Sequence, residues 1–110
     1  MKELIIEGID DTYTVWIGQN AQDNWDIISK ADQNDIWFHL EGSPSPHVIL
    51  RVENKKYDKR ILNRCACICK EGSKLKDTKN AHIIYTEIKH ITKGDKPGSV
   101  FTRKTKTIKI

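Results

Sequence analysis

Two stretches of the chain, "DIWFHL" (35–40) and "HVILRV" (47–52), separate their side chains into two sets when read in alternate positions. Ile36, Phe38, Leu40, Val48, Leu50 and Val52 form a wholly apolar set, whereas Asp35, Trp37, His39, His47, Ile49 and Arg51 fall in the other. Successive strand residues point to opposite faces, so the pattern predicts a hairpin with one buried side. Its turn is "EGSPSP", where Gly42, Pro44 and Pro46 cannot continue a ladder. "ELIIE" (3–7) and "YTVWI" (13–17) predict a further strand pair joined through "GIDD", and Gly18 ends it.

From Asn20 the period lengthens. Asn20 is a candidate N-cap for a helix through "AQDNWDIISKA", with Trp25 and Ile28 on one face. A second helix is predicted over 57–71, with Tyr57, Ile61, Leu62, Cys65, Ile68 and Cys69 on its apolar face and Gly72 as its stop. "SKLKDTKN" is a polar connector. "AHIIYTEIKHIT" (81–92) predicts a bent strand, Pro97–Gly98 suits the centre of a type II turn, and "VFTRKTKTIKI" closes the chain as strand. The expected fold class is α+β: a mostly antiparallel sheet with two helices packed on it, one domain over 1–110.

Composition narrows this picture. With 110 residues and 37% apolar content, the chain suffices for one modest core. No run approaches the ~18–20 apolar residues of a membrane span, and Met1–Lys2–Glu3 leads into a strand rather than a signal peptide, so a cytoplasmic protein is expected. The three cysteines, Cys65, Cys67 and Cys69, are odd in number and clustered, which argues against a disulfide framework. On a helix Cys67 turns away from Cys65 and Cys69, so the trio reads as small core residues rather than a metal site, and no metal or cofactor is expected.

Charge changes the picture more. Residues 1–35 carry two lysines against eight acids, while residues 88–110 carry seven basic side chains against Asp95 alone. A basic end of this kind is the footprint of a phosphate-rich partner, although a solvated lysine-rich edge strand has the same composition.

At this point a family comes into view. "GQNAQDN", "DIWFHLEGSPSPHVILR", "IIYTEIKHITKGDKPGSV" and "KTIKI" follow one another in the order of the NFACT-R domain. The chain resembles that domain most strongly over 13–110. It is the RNA-binding part of ribosome quality-control factors, and the resemblance is to its stand-alone form. Matching positions include Gly18, Asn20, Asn24, Asp35, Trp37, His39, His47, Arg51, Lys89, Lys93, Lys96 and Gly98. The chain departs in two places: Ser45 and Pro46 precede His47 where the family has Gly-Ser, and Gln19 replaces an arginine.

The candidate chemistry follows. Trp37, His39, His47 and Arg51, with Asp35 at their edge, would present stacking rings and a forked cation to an unpaired base. Lys89, Lys93, Lys96, Arg103 and Lys104, joined by Lys106 and Lys109, would meet phosphates, and the turn amides near Gly98 could hold an anion. The resemblance implies tRNA or ribosomal RNA as partner, with ribosome or translation factors nearby. The expected role is non-catalytic. Two other readings stay open: a protein-docking module, and an RNA-modifying enzyme using Asp35, His39 and His47 as acid and base.

Overall fold

A computed structural model describes all residues 1–110. Eight strands and two helices form: β1 (Lys2–Glu7), β2 (Thr12–Ile17), α1 (Ala21–Lys30), β3 (Ile36–Leu40), β4 (Val48–Arg51), α2 (Lys59–Glu71), β5 (His82–Glu87), β6 (Ile91–Lys93), β7 (Val100–Thr102) and β8 (Lys106–Lys109). Six of the strands make one sheet in the order β1-β2-β4-β3-β5-β8, every neighbour antiparallel. The expected class holds.

Each helix starts where a short polar side chain accepts from the first turn. Asn20 accepts from the Asp23 amide, and Asp58 accepts from the Arg60 and Ile61 amides. The second cap shortens the predicted helix, leaving Tyr57 outside it and 40% exposed. The bent strand over 81–92 is two strands, β5 and β6, separated by a 3-10 turn at Ile88–His90. The closing segment also divides. Val100–Thr102 pairs with β6 as a small hairpin, and Lys106–Lys109 returns to pair with β5. The break falls at Lys104, whose φ of 55° turns the chain between the two sheets.

The topology settles which faces are covered. β2 and β3 run parallel with β4 between them, and β4 and β5 run parallel with β3 between them. α1 makes the first crossover and α2 the second, and both step the same way across the sheet. The two strand pairs point in opposite directions. Crossovers of one hand therefore place their helices on opposite faces, as the right-handed rule requires. On one face, Ile61, Cys65, Ala66 and Cys69 of α2 pack on Val15, Phe38, Val48, Leu50 and Ile83. On the other, Ile27 and Ile28 of α1 and Ile88 pack on Trp16, Trp37 and Ile49, with Ile91 and Val100 of the β6–β7 hairpin alongside. The polar-looking face of the β3–β4 hairpin is thus the floor of a second core.

Cys65 and Cys69 lie fully buried in the first core and Cys67 is half-buried. Burial pushes the Cys65 thiol up to about 12 and the Cys69 thiol up to about 11, so both are unreactive hydrophobes at neutral pH. Cys65→Ser, which places an unsatisfied hydroxyl in that core, should lower stability in urea denaturation by about 1–3 kcal/mol. Cys67→Ser should stay within about 0.5 kcal/mol. Equal losses from the two variants would contradict this packing.

Candidate nucleic-acid interface

The hairpin residues singled out by alternation do share one face, but α1 and the β6–β7 hairpin cover most of it. Trp37 is 1% exposed, His47 2% and Asp35 1%, while His39 and Arg51 are half-buried. Their hydrogen bonds explain the burial. The Asp35 carboxylate accepts from Arg51 Nε at 2.6 Å, from the Val52 amide at 2.9 Å and from the Asp32 amide at 2.9 Å. Arg51 also meets Asp32 at 3.2 Å, and its guanidinium lies 4.0 Å from the Trp16 ring centroid. Asp35 and Arg51 therefore clamp the start of β3 to the end of β4, and neither imidazole touches the carboxylate. Asp35 and Trp37 lie beneath the surface, and Arg51 reaches it only in part.

His47 links three elements. Trp37 Nε1 donates to His47 Nδ1 at 3.1 Å, which leaves the imidazole proton on Nε2. Burial, together with the His39 ring 5.1 Å away, pushes the His47 pKa down to about 3, against the opposing influence of the nearby Gly98 backbone. Its backbone amide donates to Asn24 of α1, and its carbonyl accepts from Gly18. Gly98 has a φ of +87° and approaches α1 so closely that a Cβ there would lie 3.3 Å from Ala21 atoms. The Ser99 amide donates back to the Lys96 carbonyl, closing the expected turn, and Trp25 of α1 donates to the Ser99 carbonyl. The "GDKPGS" turn is thereby fastened to α1 through the Trp25 indole and the close approach of Gly98 to Ala21. His39 stacks on Trp37 with the rings 5.7 Å apart and 3° from parallel, and burial holds its pKa below the usual imidazole value.

The basic set behaves differently. Lys89, Lys93, Lys96, Arg103, Lys104, Lys106 and Lys109 are all exposed. Lys89 faces Glu87 at 3.2 Å, and it alone among them has a carboxylate within 4.0 Å. Lys93 reaches Ser29 and the edge of Trp25, and Arg103 reaches the Lys89 carbonyl.

A cleft of about 710 Å³ opens beside these elements. Its walls are the 43–46 loop, the start of α1, Gly98 and the 72–75 turn, with His39 and His47 also lining it. Asn24, Ser43, Ser73 and Lys74 went unnoticed as wall residues in the sequence. The 73–80 segment has no periodicity, and only tertiary packing brings its start against the 43–46 loop.

A family model described as the NFACT protein RNA binding domain matches residues 5–109. The Rqc2 homolog RqcH of Bacillus subtilis is 33% identical over 90 residues, covering 79% of this chain and 15% of that protein. Coiled-coil domain-containing protein 25 of mouse is 31% identical over 90 residues, covering 74% of this chain and 42% of that one. The chain thus spans less than half the length of either relative. Among solved structures, the C-terminal part of the fibronectin/fibrinogen-binding protein from Streptococcus suis superposes with a TM-score of 0.83 over 89% of this chain and 41% of that one, at 24% identity, which shows a shared fold.

Two measurements check the supporting roles. A depressed imidazole contributes stability that is complete above its unfolded pKa of about 6.5 and is lost as pH falls toward the folded value. His47 alone should therefore make wild-type stability drop between pH 7 and pH 5 with a slope approaching ~1.4 kcal/mol per unit, and His39 adds to it. His47→Asn should start lower and drop less, and identical drops would contradict a neutral, buried His47. Arg51→Ala, which strands the Asp35 carboxylate, should cost on the order of 3 kcal/mol in urea denaturation while RNA affinity per folded molecule stays unchanged. A stable variant with weakened binding would make Arg51 a contact instead.

Proposed function

The chain belongs to the NFACT RNA-binding domain family, and on that premise we propose that it is a non-catalytic RNA-binding module acting in ribosome quality control, directed at tRNA or ribosomal RNA in the cytoplasm. The observation that carries the reading is the set of seven exposed cations on the 3-10 turn, the β6–β7 hairpin, the link that follows it and β8, of which one alone has a carboxylate partner. Cations left unneutralised by their own protein release counterions when they meet phosphates, and that release drives association. The β6–β7 hairpin and its "GDKPGS" turn hold Lys93 and Lys96 out from the sheet, while Trp25 and Gly98 fix the turn against α1. Asp35, Trp37 and Arg51 act beneath, by setting the floor on which the turn sits.

A second reading, docking on a protein surface, is favoured by the opposite edge of the sheet. There Ile5 is 62% and Ile9 73% exposed, beside a groove of about 840 Å³ reaching Tyr57 and Arg64. Salt dependence separates the two readings, because an apolar protein contact releases few counterions.

The test is fluorescence anisotropy of the purified protein with labelled total tRNA, single-stranded RNA and duplex DNA across a salt series. Affinity for RNA should fall with salt by roughly 0.7–0.9 log units per log unit for each phosphate contact. Lys96→Ala, and Lys104→Asn, which suits the left-handed backbone there, should each weaken RNA binding and reduce the slope by about one contact. Weak, salt-insensitive binding to all three nucleic acids would overturn the proposal.

A further inference from the structure

We propose that the cleft between the 43–46 loop and the 72–75 turn is a pocket for a single unstacked nucleobase, separate from the cationic strands that hold the phosphates. The inference rests on the RNA-binding reading above and specifies how that surface divides its work.

The argument begins with charge. In a chain whose residues are 31% charged, sixteen residues line this cleft and only Lys74 carries a formal charge at neutral pH, the two imidazoles being held neutral by burial. The helix end at its edge offers no anion site either. Asn20 caps the Asp23 amide, and the Asp23 carboxylate lies there already, accepting from the Gln19 amide at 2.8 Å and pairing with the Met1 amine at 3.0 Å. A phosphate would meet that carboxylate with no compensating cation on α1's first turn. The preferred occupant is neutral.

The wall chemistry then says which neutral group. Asn24 uses its side-chain oxygen on the His47 amide, so its NH₂ remains for a ligand, and Ser43 makes no hydrogen bond within the protein. Pro44 and Pro46 add rigid apolar surface, and His39 brings an imidazole already stacked on Trp37. Flat apolar walls with a few donors and acceptors suit a planar heterocycle carrying several hydrogen-bonding groups. The volume of about 710 Å³ falls within the range of roughly 300–1,000 Å³ for small-molecule sites, so a base and its ribose fit easily.

Position supplies the connection. Gly98 lines the cleft and belongs to the turn that carries exposed Lys96 two residues earlier. A strand tracked by the cations therefore passes the mouth of the cleft, and a base that leaves the stack there enters a neutral pocket. Phosphates bind where the protein is cationic, and the base binds where it is not.

The experiment uses a five-nucleotide RNA, the same RNA with a central abasic site, and free adenosine and uridine, each titrated into the isotopically labelled chain and followed by amide NMR shifts. The intact RNA should shift the Ser43, Ser73 and Leu75 amides as well as those of the cationic strands. The abasic RNA should bind on the order of tenfold more weakly, the scale of one lost base contact, and leave the cleft amides unmoved. Ser43→Trp, which fills the mouth without removing an internal hydrogen bond, should reproduce the abasic result with intact RNA. His39→Ala should do likewise wherever it folds. Equal binding of intact and abasic RNA, with shifts confined to the cationic strands, overturns the pocket and leaves the RNA reading standing. Cleft shifts with the nucleosides but no binding of either RNA would uphold the pocket and overturn the RNA reading. No shift with any probe overturns both.

Discussion

The hydrogen bond from the Trp37 indole to His47 Nδ1 is the contact on which the functional face depends, because it fixes the imidazole's tautomer and so decides what the other nitrogen can do. With Nδ1 accepting, Nε2 must carry the proton, on a ring that has the Gly98 backbone near it. A buried imidazolium would have two donors and no acceptor for the indole, so the ring's neutrality and its geometry are one requirement. Through this ring β3 and β4 are joined, and α1 ties to them by way of Asn24 and to the 94–99 turn by way of Trp25 and Ala21. The turn's left-handed glycine, the helix cap and the strand pairing would otherwise be independent local choices.

Much of the fold was legible in the alternation of residues 35–52 and the periodicity of residues 59–71, since both are consequences of backbone geometry. The N-cap at Asn20 and the turn at Pro97–Gly98 were legible for the same reason. The division of "VFTRKTKTIKI" between two sheets was not. Its residues have strand propensity throughout, and only the positive φ at Lys104 and the separate partners of its two halves distinguish them.

The site was half legible. Alternation correctly placed Trp37, His39, His47 and Arg51 on one face, yet it cannot tell a face that meets solvent from one that meets a second layer. Strand order and the constant hand of crossovers decide that, and both are global properties. A mixed polar set such as Asp35, Trp37 and Arg51 looks like a binding surface in one dimension because paired charges and indoles are also how a core accommodates polar groups. The exposed cations of residues 89–109 were easier to read, since lysine without a carboxylate partner is rarely buried. The cleft was invisible because its walls come from four separated segments, one of them without any periodic pattern.

Gly18 carries a consequence for how such a chain can change over generations. A methyl group there would meet the Asn24 oxygen at 1.9 Å, and that oxygen already receives the His47 amide. Gly18, Asn24 and His47 therefore form a lock in which no single replacement at Gly18 is neutral. A lineage reaching a different solution would have to pass through a less stable ancestor or alter two positions together. Lys96 and Lys104 are under no such constraint from packing. The scaffold is therefore expected to change only in concert, whereas an exposed cation such as Lys104 can be exchanged without rebuilding the frame that presents it.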